Sequence, residues 1–379
     1  MKNFLFRACI LLSLIGFFDL AHSQEPQLLP VTLFDIYELK DVMGYIDTTG
    51  RIAIDPQFEF ADKFEEGLAV VKTNGKYGAI DGTGKLIVRP IYDYVWRFTD
   101  GLCRVQLDKK IGFVDQLGNE VIKPIFTEAG GFQEGLAAVK IGDKVGFIDK
   151  TGKVVITPAY ASVKAFSEGL AAVKLMDAGR LWGFIDKTGS MVIKPQFEGW
   201  TAADITSFKD GLAIAQRSDN YSSTYWYVIN KKGEVILDTK IKYIENPTMH
   251  NFSDGLAVFG KGDPMHSGLS PGFIDLKGNI TRPLFRPPKY NFEDFVPSEI
   301  GDFHDGRAYI KIGEKWGFIR PDLTFAYDPH FEGVQDYGFY ARGIVTFKLD
   351  GKWCHRSKDK LIFDGRNAKW DSKEHKMTK

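Results

Sequence analysis

Cysteine is rare in this chain, with three among 379 residues, which excludes a small fold stapled by disulfides. An excess of charge is absent too: 49 Lys and Arg balance 49 Asp and Glu, so no long-range field draws nucleic acid or an anionic membrane to the surface. Neither is expected as a partner. After residue 23 no apolar run approaches the roughly 20 residues that a spanning helix needs, so no membrane insertion of the mature chain is expected. The histidines beyond that point, His250, His266, His304, His330, His355 and His375, keep no spacing such as His-x-x-x-His and accompany no cysteine pair. No metal and no cofactor is expected.

Aromatics and glycine, by contrast, abound. Thirty Phe, 15 Tyr, 7 Trp and 39 Gly suit many short strands joined by tight turns. The opening residues read as a secretory signal: Lys2 and Arg7 make a positive start, residues 8–18 an apolar run, and Ala21-His22-Ser23 a small-residue cleavage site. Gln24 would begin the mature protein, exported to the periplasm or the extracellular space. Residues 24–370 form the body, and residues 371–379 are expected to be a polar, disordered tail. Cys9 falls within the signal. An oxidising compartment would let Cys103 and Cys354 pair, but one takes the place of a repeat alanine and the other of a repeat glycine, so two small buried thiols account for them as well.

The repeat is plain in the residues. Phe-x-[Glu/Asp]-Gly-Leu-Ala recurs from Phe64, Phe132, Phe166, Phe208 and Phe252, with variants from Phe98, Phe303 and Tyr340. Its glycines at 67, 101, 135 and 169 are 34 residues apart, and later spacings lengthen through insertions. A second segment, Gly-aromatic-Ile-Asp-x-x-Gly, runs in register with it from Gly44, Gly146, Gly183 and Gly272, with looser copies from Gly78, Gly112 and Gly317.

In residues 132–165 this pattern predicts strands over 136–140, 144–149 and 153–157, joined by a tight hairpin and by Asp149-Lys150-Thr151-Gly152, where Asp caps the turn and Gly takes the left-handed position. Pro158 ends the third strand. A lone three-stranded meander cannot bury its apolar face, so neighbouring units must stack and share a core, with the Phe64-type aromatics as the shared layer. The expectation is an all-β tandem array of about nine three-stranded antiparallel β-meander repeats, open superhelical or propeller-like, with the open form preferred because propellers typically have four to eight blades.

These units resemble the bacterial WG, or KWG, repeat, whose namesake dipeptide stands here as Trp182-Gly183 and Trp316-Gly317. The resemblance spans nearly the whole mature chain. It departs at Tyr227 and Cys354, which replace the glycine, and at Arg320, which replaces the turn aspartate. It implies β-structured repeats in exported or surface-associated proteins and supplies no catalytic residues.

The apparent chemical motifs dissolve on inspection. Gly268-Leu269-Ser270-Pro271-Gly272 matches a nucleophile elbow only formally, because a strand rather than a helix follows it. The turn aspartates, such as Asp81, Asp149 and Asp186, are too sparse for a calcium site and read as turn caps. No catalytic residue is assigned. Insertions at 175–181, 217–225 and 260–271 lengthen the first hairpin, and such loops mark a binding face in repeat proteins. Tyr221, Tyr225, Trp226, Met265 and His266 are therefore the expected ligand-binding residues. The favoured function is a non-enzymatic binding or scaffold protein of the cell envelope or secreted space, holding a protein or glycan. The alternative is an accessory carbohydrate-active or peptidase-like enzyme using the 286–301 insertion, where Glu293, Asp294, Glu299 and Asp302 cluster.

Overall fold

Each repeat turns its pattern into one sheet. In the unit over residues 60–92, strands Phe60–Glu65, Leu68–Thr73, Lys76–Asp81 and Leu86–Tyr92 pair antiparallel in sequence order. The last three are those the pattern predicts, except that the outer strand runs on through its proline (Pro90 here, Pro158 in Val154–Val163) instead of ending there, and the structure adds a fourth, inner strand, the one that carries Phe64. This computed structural model describes residues 28–35, 40–199, 201–218, 223–242, 249–260, 271–282, 297–303, 306–334, 344–350, 352–357, 361–364, 369–371 and 376–378. The proposed signal segment lies outside them. Nine units are visible among the described residues. Three of them, from Leu136 to Lys242, run together as one nine-stranded sheet.

The second hairpin turn is held as its sequence suggests. Asp81 Oδ1 accepts from Thr83 N (2.9 Å), Thr83 Oγ1 (2.6 Å) and Lys85 N (3.1 Å), and Asp47, Asp149 and Asp186 repeat the arrangement. At Asp186 the Thr188 hydroxyl bond holds the carboxyl below the usual range.

The signature glycine answers a close approach. Opposite it the outer strand bulges at the proline, where the register slips between Val145↔Tyr160 and Phe147↔Ile156. A Cβ on Gly146 would meet the Ile156 carbonyl and lie 2.7 Å from Pro158 N, and Gly44, Gly78, Gly112, Gly183 and Gly317 face the same collision. Where Tyr227 replaces the glycine, the proline is gone as well. Thr239 Oγ1 there donates to Trp226 O (2.7 Å) and accepts from Ile241 N (3.1 Å), and Lys240 takes a positive φ of 58°.

No unit has a core of its own; each described core lies between two. Tyr45 packs on Phe64 at 4.9 Å, Phe113 on Phe132 at 4.8 Å, Phe147 on Phe166 at 4.9 Å, Phe184 on Phe208 at 4.9 Å and Phe273 on Phe303 at 5.1 Å. Each pair joins the Gly-aromatic strand of one unit to the segment of the next unit that leads into its Glu-Gly, Asp-Gly or equivalent turn.

A carboxylate staple reinforces these junctions. Glu66, Asp100, Glu134 and Glu168 sit at φ between 51° and 55°, which aims each carboxylate at the following unit. Glu66 accepts from Asp100 N (2.7 Å) and Gly101 N (2.9 Å), and Asp100 from Gly135 N (2.5 Å). Lys150, Lys187 and Lys231, from the second turns, reach Asp100, Glu134 and Glu168 at 2.9, 3.0 and 2.9 Å. The lysine of Asp-Lys-Thr-Gly thus serves the junction.

The succession of sheets comes round on itself, the propeller-like of the two expected forms rather than the open one preferred. Strand Leu29–Asp35 pairs in parallel with Lys369–Asp371, which pairs in turn with Lys376–Thr378, so the region expected to be a loose tail extends the first sheet. Val31, Leu33, Val42 and Ile46 of the first unit share a core with Phe363 of the ninth. His355 bridges the same junction. Its Nε2 donates to Pro30 O (3.0 Å), which can only accept, so Nδ1 is left to accept from Thr346 Oγ1 (2.9 Å). Cys103 and Cys354 are both buried and form no disulfide.

These contacts set the cost of two changes. Gly146→Ala should cost about 1–3 kcal/mol through forced overpacking, read as a lowered urea midpoint, whereas Gly130→Ala, whose Cβ would meet its nearest neighbour at an ordinary 3.6 Å, should cost about 0.5 kcal/mol or less. Burial pushes the His355 pKa down to about 4, against the pull of the Pro30 carbonyl. The unfolded chain therefore binds that proton more tightly. This contribution, about 3 kcal/mol, is complete above pH 6.5 and is lost as pH falls from 6.5 to 4. Thermal melts across that window should show the loss, and His355→Gln should flatten it.

Candidate functional site

A side chain that recurs in every unit has packing as its sufficient cause, so candidates for binding are the exposed residues without counterparts in other units. The described residues place several such side chains together. A groove of about 720 Å³ opens where the inner strands of the second and third units approach the fourth and fifth, lined by Phe60, Asp62, Glu65, Tyr77, Tyr94, Trp96, Arg97, Thr99, Arg104 and Gln133 among others. A smaller hollow of about 350 Å³ shares Gly131 and Ala165 with it and continues towards Lys140 and Val163.

Its walls are an aromatic row. Phe60 lies 6.1 Å from Tyr77, Tyr77 5.1 Å from Tyr94, and Tyr94 4.7 Å from Trp96, edge to face in the first and last pairs. Strand register explains the row: Phe60 pairs with Lys72, and Lys72 with Tyr77, while Tyr94 and Trp96 alternate on the next inner strand. Phe60 is 39% and Tyr94 42% exposed. Below them the Cys103 thiol donates to Trp96 O at 2.7 Å, and burial raises the thiol well above its ordinary range, so it is no nucleophile.

The charges of the groove are mutually engaged. Arg97 grips Asp62 through two bonds of 2.6 and 2.8 Å and reaches Glu65 at 3.6 Å. Arg104 occupies a position that other units give to Val70, Ala138 or Ala172. Its guanidinium lies 4.6 Å over the Trp96 ring and donates to Ala129 O at 2.8 Å. Burial lowers its pKa, though a guanidinium stays charged at any physiological pH. Among the described residues no group of three His, Cys, Asp or Glu could hold a metal ion.

The loop residues expected to bind are not assembled there. Tyr221, Met265 and His266 lie outside the described residues. Tyr225 is half-buried on strand Thr224–Asn230. Trp226 is a correction: its ring is fully buried among Ile214, Ile241, Met249 and Phe259, in the register that Trp182 occupies one unit earlier, so it packs a junction and meets no ligand. Of the acidic cluster, Glu293 and Asp294 lie outside the described residues. Glu299 accepts from Tyr309 Oη at 3.3 Å and Asp302 pairs with His250 Nδ1 at 2.8 Å. The insertion over 198–207 folds inward, burying Ile205 and Asp204, and Lys164 Nζ donates to Ala202 O (2.9 Å) and Ile205 O (2.8 Å). Sequence reasoning missed the groove because its residues sit in the regular early units, although Trp96 and Arg104, unmatched in the repeat, were a signal.

The sequence model of the WG containing repeat matches residues 43–77, 77–110, 111–144, 146–177, 182–221, 228–263 and 287–316. None of the curated proteins matches. Among solved structures, the crystal structure of a eukaryotic initiation factor is similar over 89% of this chain and 95% of its own, with a TM-score of 0.54 at 12% identity, which is a likeness of fold. Hsv2p of Kluyveromyces lactis (TM-score 0.40, 10% identity, 77% of this chain and 94% of its own) and the WD40 β-propeller domain of Doa1 (0.33, 11%, 67% and 92%) are fainter likenesses.

The two kinds of aromatic should separate on substitution. Trp226→Ala should destabilise by about 3–5 kcal/mol as a core truncation, while Tyr94→Ala should cost less than about 1 kcal/mol, both read from urea unfolding.

Proposed function

The chain belongs to the family of WG containing repeats, and from that premise we propose that it is an exported, non-enzymatic binding scaffold of the cell envelope or secreted space, holding a protein or glycan partner on the inner face of its repeats. The observation that carries this reading is the groove: the exposed rings of Phe60 and Tyr94, which share one repeat position in adjacent units, gathered beside Trp96 and Arg104, whose positions carry unlike side chains in the other units. Rigid strands fix the spacing of such a surface while its side chains vary, which is how repeat arrays present a partner site. Export rests on the first 23 residues, whose charge, apolar run and small-residue end suit a signal. The accessory-enzyme alternative draws little support, since Glu299 and Asp302 are each engaged with a neighbour.

Affinity capture from envelope extract tests the reading, using the chain from Gln24 and a Tyr94→Ala/Trp96→Ala variant with an unchanged circular dichroism spectrum. A partner retained by the first and lost by the second is expected. Equal retention by both, or none by either, would count against a binding face at this groove.

A further inference from the structure

If this face is the binding surface, the chemistry of the groove narrows its ligand. Resting on that reading, we propose that the groove takes a neutral oligosaccharide, stacked on Phe60 and Tyr94 and hydrogen-bonded through its hydroxyls to Asp62 and Glu65.

Charge decides the first part. Arg97 is bound by Asp62 and Glu65, and Arg104 is spent on Trp96 and a backbone carbonyl. With Asp62 and Glu65 set against Arg97 and Arg104, the charged side chains lining the groove sum to zero, so it has no net charge to select an anion. A cationic one would have to pull Arg97 from a bidentate bond, which costs more than it returns. Neutral hydroxyls need no such exchange, because an ionised carboxylate bonded to a guanidinium still offers lone pairs to further O–H donors.

The rings decide the second. A pyranose has one face rich in C–H groups and a rim of hydroxyls, so it needs an aromatic plane beside fixed polar groups. Phe60 and Tyr94 are exposed, and Tyr94 is braced by Tyr77 and Trp96 at 5.1 and 4.7 Å. Bracing removes the entropy cost of ordering the rings on binding. A peptide, in contrast, is anchored by side chains entering apolar pockets, whereas here the apolar groups are themselves the exposed rings, flanked by charged pairs.

Titration calorimetry of the full mature chain with chitohexaose, cellohexaose, mannohexaose and xylohexaose, alongside the change in tryptophan fluorescence that is lost in Trp96→Phe, tests the proposal. At least one should bind, about tenfold more weakly to Phe60→Ala or Tyr94→Ala, with Tyr94→Phe restoring most of the affinity and the melting midpoints unchanged. Failure of all four, or binding indifferent to both alanine variants, overturns the oligosaccharide assignment. If envelope capture nevertheless depends on Tyr94 and the retained partner is a protein, only this assignment falls. If capture is indifferent as well, the binding-surface reading falls with it.

Discussion

The contact between an aromatic ring on the Gly-aromatic strand of one unit and the aromatic ring that leads into the left-handed turn of the next, at 4.8–5.1 Å in the pairs described, is what the rest of this structure depends on. Because the pair spans a junction, a single sheet has nothing to pack against until its neighbour arrives. The inner strand must therefore be brought to the preceding unit and held there. The left-handed Glu-Gly or Asp-Gly step does this by aiming a carboxylate at the next unit's main chain, and the turn lysine neutralises it. Repetition of one junction then dictates a curved array.

Much of this was legible because the local rules agree with the global fold. Strand periodicity and the capped second turn each have a short-range cause and appear where the pattern puts them; the proline does not end its strand, which runs from Val154 to Val163 and absorbs Pro158 in a bulge. The inner strand escaped notice because it is short and ends in a positive-φ turn, which reads as loop. Ring closure escaped because a parallel pairing of Phe34 with Lys369 leaves no trace in local pattern. Trp226 misled for a related reason: it borders an insertion, yet it stands in the register of the namesake tryptophan, and register outranks the neighbouring loop.

The division between repeated and unrepeated residues also separates frame from function. Two residues before the inner-strand phenylalanine the chain carries Asp62, Trp96, Gly130, Lys164, Thr206 and His250 in successive units. The packing rules leave this position open, and no two of these units use the same side chain there. Lys164 and His250 spend it on structure, Lys164 by bonding the inward-folded insertion and His250 by pairing with Asp302. Asp62 and Trp96 line the groove instead.

Ring closure gives the chain an order of assembly. The first sheet is extended past its first strand by residues 369–371 and 376–378, and His355 reaches Pro30 across 325 residues of sequence. During synthesis, units can stack one on another as soon as each pair emerges, since their contacts are between neighbours. The first sheet, however, keeps an unpaired edge until the last strands arrive, and such an edge is a template for another chain. The pairing of the first described strand with residues 369–371 thus also protects that strand's edge from misassociation, and the interval before it forms is set by the length of everything between.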